Sequence, residues 1–100
     1  MLLFVSCLIF FDIIMDDKKL NLRAEIDALD SQIAKLLTDR FAVVKAIGNV
    51  KKQSGLPVKD LAREREVLER VKSLALSEDE KNAIASIYQT IMDECCKLQK

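Results

Sequence analysis

The chain has 100 residues, of which 50% are hydrophobic and 32% are charged, and its 16 basic side chains balance its 16 acidic ones. This length and composition predict one folded domain. Zero net charge argues against nucleic acid or an acidic membrane surface as the main partner. The sequence has no histidine, which excludes an imidazole base and histidine-ligated metals. Two glycines and one proline leave little scope for strands and tight turns, so an all-α fold is predicted.

Residues 1–14 are almost entirely apolar, but Asp12 interrupts them and they are short for a transmembrane helix. We interpret them as an N-terminal extension, or as the product of a mis-assigned start before Met15, so that the functional domain occupies residues 15–100. An apolar arm that packs on a neighbouring chain is one alternative. A signal peptide, which would make the protein secreted or periplasmic, is another, although a basic start and a small-residue cleavage site are absent. The odd, unpatterned set of three cysteines, which includes Cys7, is typical of reduced thiols and favours the cytoplasm.

From Leu22 to Val50, residues recur in steps of four and three that predict one face of a long helix. Asn21 is predicted to cap this helix, and Gly55 to end it. A helix over residues 20–53 is about 50 Å long, which exceeds the width of a compact domain of this size. Its apolar face therefore predicts a homodimer. We call this face the seam; it comprises Leu22, Ile26, Leu29, Ile33, Leu36, Val43, Ile47 and Val50.

Arg40 interrupts the seam, and Lys51 follows 11 residues later, which returns to nearly the same side of a helix. A half-buried cation is costly unless an anion meets it. The pattern therefore predicts either partner carboxylates or an anionic ligand beside this face.

Asp60 is predicted to cap a second helix over residues 61–74, with Glu64 on its core side and Arg63 in its first turn. A cation there opposes the helix dipole, which indicates a role other than helix stability. Glu66 and Arg70 have the spacing of a solvated ion pair. The apolar row of this helix is predicted to comprise Leu61, Leu68, Val71, Leu74 and Ala75.

Ser77 and Glu80 form a capping box for a third helix over residues 78–98. Its apolar stripe ends on a neutral amide, Gln99. The stripe comprises Ile84, Ile87, Tyr88, Ile91, Met92 and Cys95.

The polar residues that depart from these patterns suit a small dianionic substrate held by charge complementarity. They offer no nucleophile and no proton shuttle, so the chemistry would depend on orientation and electrostatic stabilisation. Arg23 lies about 100° around the helix from Arg40 and cannot share its pocket, so it would serve the pocket of a dimer partner. The set comprises Arg23, Arg40, Lys51, Arg63, Glu64 and Gln99.

From about residue 20 to 99, the chain resembles the AroQ-type, all-helical chorismate mutase family. The matching pieces are LRAEIDALDSQIAKLLTDR, the Lys51 that follows, PVKDLAREREVLER and IMDECCKLQ. The resemblance implies three helices per chain, intertwined as a homodimeric bundle with two equivalent sites. It implies a monofunctional isomerase that converts chorismate to prephenate by an intramolecular Claisen rearrangement, in phenylalanine and tyrosine biosynthesis, without a cofactor or metal.

The resemblance also implies roles for individual residues. Arg40 and the partner's Arg23 would bind the two substrate carboxylates. Lys51 and Gln99 would donate hydrogen bonds to the ether oxygen as its carbon–oxygen bond breaks, and Glu64 would accept one from the ring hydroxyl.

Three further positions complete the expected site. Asp60 and Arg63 would line the pocket and hold the other groups. Cys95 stands where many members carry serine, and because a thiol is a weaker donor than a hydroxyl, its contact with a substrate carboxylate is expected to be weak.

Two other functions remain open. An isochorismate-pyruvate lyase of the same fold is the first, although Glu64 and the segment that connects the first two helices favour the mutase. A catalytically silent dimerisation or regulatory module is the second. It would explain the seam but not its interruption by Arg40 or the position of Gln99.

Overall fold

The computed structural model describes residues 2–100, with side chains described at Ile9 and from residue 13 onward. Three helices and no strand occur in this range: α1 (Leu2–Ser54), α2 (Leu61–Lys72) and α3 (Glu78–Gln99). The predicted all-α fold with one long N-terminal helix is confirmed. The predictions for Cys7, for Asp12 and for the other side chains of residues 1–8 and 10–12 lie outside the described residues. Within the described part, no helix has a stretch long and apolar enough to cross a membrane.

The start of α1 differs from the prediction. The helix begins at Leu2, so Asn21 lies in its interior and does not cap it. No proline or glycine precedes Gly48, and an asparagine in a helix interior costs less than about 1 kcal/mol, which is too little to stop the helix. The end agrees with the prediction: Gly55 has a φ of 69°, and the N–H of Leu56 turns back to the carbonyl of Lys51 at 2.8 Å.

The caps of the two shorter helices are confirmed. The Asp60 side chain accepts from the N–H of Arg63 at 3.1 Å, and the Ser77 hydroxyl accepts from the N–H of Glu80 at 3.2 Å. The return bond of the predicted capping box is displaced by one residue, since the Glu80 carboxylate accepts from the N–H of Leu76 at 2.9 Å.

The chain divides into two compact units, residues 1–38 and residues 39–100. In the second unit, α2 and α3 pack on each other around a core of Val67, Val71 and Met92. Leu68 and Tyr88 are among the half-buried side chains that complete it. This core fixes the orientation of the α2 face that carries Glu64.

The predicted apolar rows are partly wrong. Leu61 is 62% exposed, and Leu74, at 73%, lies beyond the end of α2, while Val67, which the prediction omitted, is only 4% exposed. Ile87 in α3 is also exposed. The packed rows follow the positions at which α2 and α3 contact each other, and a single-helix pattern does not specify those positions.

The first unit consists of one helical segment in which no described side chain is buried. Its seam residues, such as Leu22 and Ile33, remain more than half exposed. A helix with an uncovered apolar stripe gains little stability from its own hydrogen bonds.

Candidate active site

The second unit contains a cavity of about 380 Å³ lined by all three of its helical segments. Seven of the eight predicted site residues lie in its wall. The eighth, Arg23, is an exposed residue of the first unit and is not part of the lining. The seven residues are Arg40, Lys51, Asp60, Arg63, Glu64, Cys95 and Gln99.

Lys51 is held by two acceptors. Its ammonium donates to the carbonyl of Val58 at 2.6 Å and to Oε1 of Gln99 at 2.9 Å. An ammonium has three donors and no acceptor, so the amide oxygen of Gln99 must face it, and one N–H of Lys51 remains free. The amide nitrogen of Gln99 is thereby left free to donate elsewhere.

Gly48 allows α1 to approach Gln99 closely. A Cβ atom built on Gly48 would lie 2.9 Å from Cα and 3.0 Å from the carbonyl oxygen of Gln99. Both are backbone atoms that cannot rotate away, so a larger residue would push the end of α3 outward. This contact, three residues before Lys51, sets the distance over which the ammonium reaches Gln99.

Arg40 donates to the sulfur of Cys95 at 2.9 Å. The thiol is 3% exposed and unbridged, and Arg40 itself is half-buried. Sulfur is a weak acceptor, so the guanidinium satisfies little of its hydrogen-bonding capacity in this contact. The other donors of Arg40 are suited to a carboxylate, which a guanidinium can bind through two parallel bonds.

Glu64 is the half-buried carboxylate of the site, with a side chain 13% exposed. Its Oε1 accepts from the amide of Gln89 at 3.1 Å. Its Oε2 is buried and accepts no hydrogen bond, although the ammonium of Lys59 lies 3.5 Å away. A buried oxygen without a donor is unfavourable, and a hydroxyl donor on a ligand would satisfy it.

Arg63 and Asp60 contribute differently from each other. The Asp60 side chain is engaged in the cap of α2, so it stabilises the start of the helix that carries Glu64. Arg63 is exposed and donates to Glu66 at 3.1 Å. The predicted pairing of Glu66 with Arg70 is therefore wrong, because the i,i+3 geometry towards Arg63 is the one adopted.

Sequence reasoning missed three residues at or near the site. Arg70 was interpreted as a solvated residue, yet it lines the cavity. Gly48 and Gln89 lie outside the wall but contact the wall residues Gln99 and Glu64. For Gly48 a signal was present, because a glycine in the interior of a long helix indicates a close contact. With Arg70, four cations and two carboxylates line the cavity, so the lining has an excess of positive charge.

This arrangement is chemically specific. Apolar side chains such as Val44 and Met92 alternate in the wall with convergent donors. Among the described residues, no group of three or more side chains could hold a metal ion. The cavity thus fits a small organic anion, on which it would act through fixed donors.

Comparison with known proteins identifies the family. Residues 22–100 match the family model described as chorismate mutase type II. The chain belongs to this family, which confirms the family that the sequence predicted.

Comparisons with individual proteins are consistent with this family assignment. The chain is 30% identical over 87 residues to the chorismate mutase of Methanocaldococcus jannaschii, which covers 86% of this chain and 88% of that protein. It is 35% identical over 86 residues to the bifunctional chorismate mutase/prephenate dehydratase of Aquifex aeolicus, with coverage of 80% of this chain and only 23% of that protein. A solved structure of a conserved hypothetical protein from Pyrococcus furiosus matches at a TM-score of 0.66 and 35% identity, with coverage of 79% of this chain and 91% of that one.

Replacement of Gly48 by alanine tests the close approach to Gln99. Helix propensity alone predicts that Gly48→Ala stabilises the protein by about 1 kcal/mol. Because the new Cβ would overlap backbone atoms of α3, we expect instead a loss of about 1–3 kcal/mol. The measurement is urea denaturation at a fixed protein concentration.

The control is Asn49→Ala, at the exposed neighbouring position of the same helix. It should be neutral or slightly stabilising. A Gly48→Ala variant more stable than the parent would contradict the contact.

Proposed function

We propose that this chain converts chorismate to prephenate by an intramolecular Claisen rearrangement within the cavity of residues 39–100. In this reaction one carbon–oxygen bond breaks and one carbon–carbon bond forms in the same molecule, so no proton, electron or co-reactant is exchanged. The protein then needs only to hold a reactive conformation and stabilise the charge that develops. The chain spans about nine-tenths of the Methanocaldococcus relative, but less than a quarter of the Aquifex one, and the activity is therefore proposed for this domain.

The geometry of Lys51 and Gln99 is the observation that carries the proposal. Each has a donor that the protein leaves unused, and the bond between them holds the two donors side by side. As the ether bond breaks, negative charge grows on its oxygen. Two donors that converge on this oxygen would stabilise the transition state more than the substrate, which lowers the barrier.

The substrate carboxylates would bind at the cationic part of the wall. Arg40 offers its remaining donors there, and the excess positive charge of the lining would offset the two negative charges of chorismate. Cys95 contributes a thiol that already accepts from Arg40, so it adds little to carboxylate binding. The partner's Arg23 would complete the site.

Glu64 would accept the ring hydroxyl of the substrate through Oε2. That oxygen is buried and lacks a donor, which a hydroxyl supplies. Arg63 and Asp60 would act around it, the first at the rim of the cavity and the second through the cap of α2.

A homodimer is part of the proposal. The seam residues in both units are at least 44% exposed, among them Ile26, Leu36 and Ile47. A face of this kind, with the 4-3 spacing of helix-on-helix packing, would be covered by a second copy of itself. In that arrangement each chain would supply Arg23 to the pocket of the other.

We also propose that residues 15–100 form the functional domain and that the protein acts in the cytoplasm. The family match begins at residue 22, which supports an extension outside the domain even though α1 continues through it. The unbridged thiols of Cys95 and Cys96 support a reducing compartment.

The decisive measurement is the loss of chorismate absorbance with purified protein. We expect turnover by the full chain and by a chain that begins at Met15, with prephenate as the product. Arg40→Ala should reduce kcat/KM by at least about 100-fold, because it removes a charge-assisted bidentate contact. Its helical circular dichroism should be retained, since the seam accepts an apolar residue at that position. Formation of pyruvate from isochorismate in place of prephenate would identify a lyase, and inactivity of a folded dimer would contradict both.

Mixing two inactive variants tests the exchange of Arg23 between subunits. Arg23→Ala and Arg40→Ala proteins, each nearly inactive, are unfolded together and refolded. If each pocket combines its own Arg40 with the partner's Arg23, half of the dimers are mixed and each holds one intact pocket, so about a quarter of the parental activity returns. If Arg23 served its own pocket, no mixed dimer would have an intact site and activity would stay absent.

Replacement of Gln99 by glutamate tests the ether-oxygen donor. A carboxyl group donates only when protonated, so the activity of Gln99→Glu should rise as the pH falls through the pKa of the introduced group. The parental protein, which has a neutral amide there, should not show this rise. A pH–rate profile of the variant that parallels the parental one would argue against Gln99 as a donor.

A further inference from the structure

Gln89 lies in α3 outside the cavity wall, yet it contacts the one half-buried carboxylate in that wall. Its amide nitrogen donates to Oε1 of Glu64 at 3.1 Å, across 25 residues of sequence. The same nitrogen donates to Oδ1 of Asp93 at 3.1 Å. The two protons of one amide group are thus shared between two carboxylates.

The position of Gln89 separates it from the substrate. Glu64 lines both the substrate cavity and a second cavity of about 300 Å³, whereas Gln89 lines only the second. Gln89 is therefore placed to affect the reaction through its bond to Glu64 rather than by contact with a substrate in the first cavity. This distinguishes a positioning residue from one that contacts the substrate.

The competing contact of Glu64 is with Lys59. The ammonium of Lys59 lies 3.5 Å from Oε2, the oxygen that has no hydrogen-bond donor, and its side chain is 57% exposed. Without a fixed partner on Oε1, the carboxylate would be held only by this exposed cation, and its orientation in the cavity wall would be poorly fixed. The bond from Gln89 fixes Oε1, so a substrate hydroxyl could replace Lys59 at Oε2 without reorienting the carboxylate.

We propose that Gln89 is a positioning residue for the mutase reaction, which holds the Glu64 carboxylate so that Oε2 can accept the substrate hydroxyl. The inference rests on the role proposed above for Glu64. Glu64 and Gln89 would together select a substrate that carries a hydroxyl group, although Gln89 itself does not contact the substrate.

A double-mutant cycle tests this coupling. Gln89→Met keeps the approximate length of the side chain and removes its donor, and we expect kcat/KM to fall about tenfold, since a hydrogen bond to a charged group is lost. In a Glu64→Ala background the same substitution should change kcat/KM little, because no carboxylate remains to be positioned. Equal losses in both backgrounds would overturn the inference and make Gln89 merely structural.

A change of charge gives a second readout, which a structural role would not affect. Gln89→Glu places a carboxylate against both Glu64 and Asp93. Adjacent carboxylates resist joint ionisation, so the acid limb of the kcat/KM profile of this variant should move to higher pH than the parental one, by about one unit. An unmoved acid limb would count against the coupling. The other charged groups that line the two cavities with Glu64 are Arg40, Lys51, Lys59, Asp60, Arg63, Arg65 and Arg70.

Asn82→Asp is the matched control, since it converts an exposed amide of α3 to an acid two turns away. Solvent and salt screen a charge at that distance, so its acid limb should stay at the parental position. The two proposals fail in different ways. An inactive parental protein would refute the function proposed above, and a Glu64→Ala variant with full kcat/KM would refute the role of Glu64 within it, whereas additive losses refute only the role of Gln89.

Discussion

With no side chain at Gly48, the backbone of α1 lies against that of Gln99, and the geometry of the site follows from this approach. Three residues later along α1, the ammonium of Lys51 reaches both the amide of Gln99 and the carbonyl of Val58. A lysine side chain is long and flexible, and its two acceptors restrict it to one position. The cost of ordering these donors is therefore met during folding, before a ligand arrives, which is what electrostatic preorganisation requires.

The charges in the cavity are incompletely compensated within the chain. Arg40 donates to a sulfur atom, and the Asp60 carboxylate is engaged in a helix cap. In the proposed complex, a substrate carboxylate at Arg40 would displace only a weak acceptor, at little cost. At Glu64 an acceptor rather than a donor is left without a partner, since the Oε2 atom of this carboxylate accepts no hydrogen bond although the cavity is lined mainly by cations. Under the proposed function, these groups would together form the complement of a dianion that carries a hydroxyl.

The accuracy of the sequence predictions depended on the range of the interactions involved. The caps at Asp60 and Ser77 were predicted correctly because each involves residues three positions apart. Asn21 was predicted wrongly as a cap, since a helix that extends upstream removes the need for one. In α2, Leu61 was predicted to be buried but is exposed, whereas Val67 was not predicted and is buried. The contact with α3 determines which face of α2 is buried, and the sequence of α2 alone does not specify it.

The sequence by itself determined the three helices, the side of α1 that carries Arg40 and Lys51, and, through its resemblance to a family, the residues that gather in the cavity. These features follow from helical periodicity and from local motifs, which a single chain displays without a partner. Only the tertiary structure decided which acceptor each donor finds. The bonds from Arg40 to Cys95 and from Gln89 to Glu64 join residues 55 and 25 positions apart, and such distances are fixed by the packing of α3 against its neighbours rather than by any local pattern.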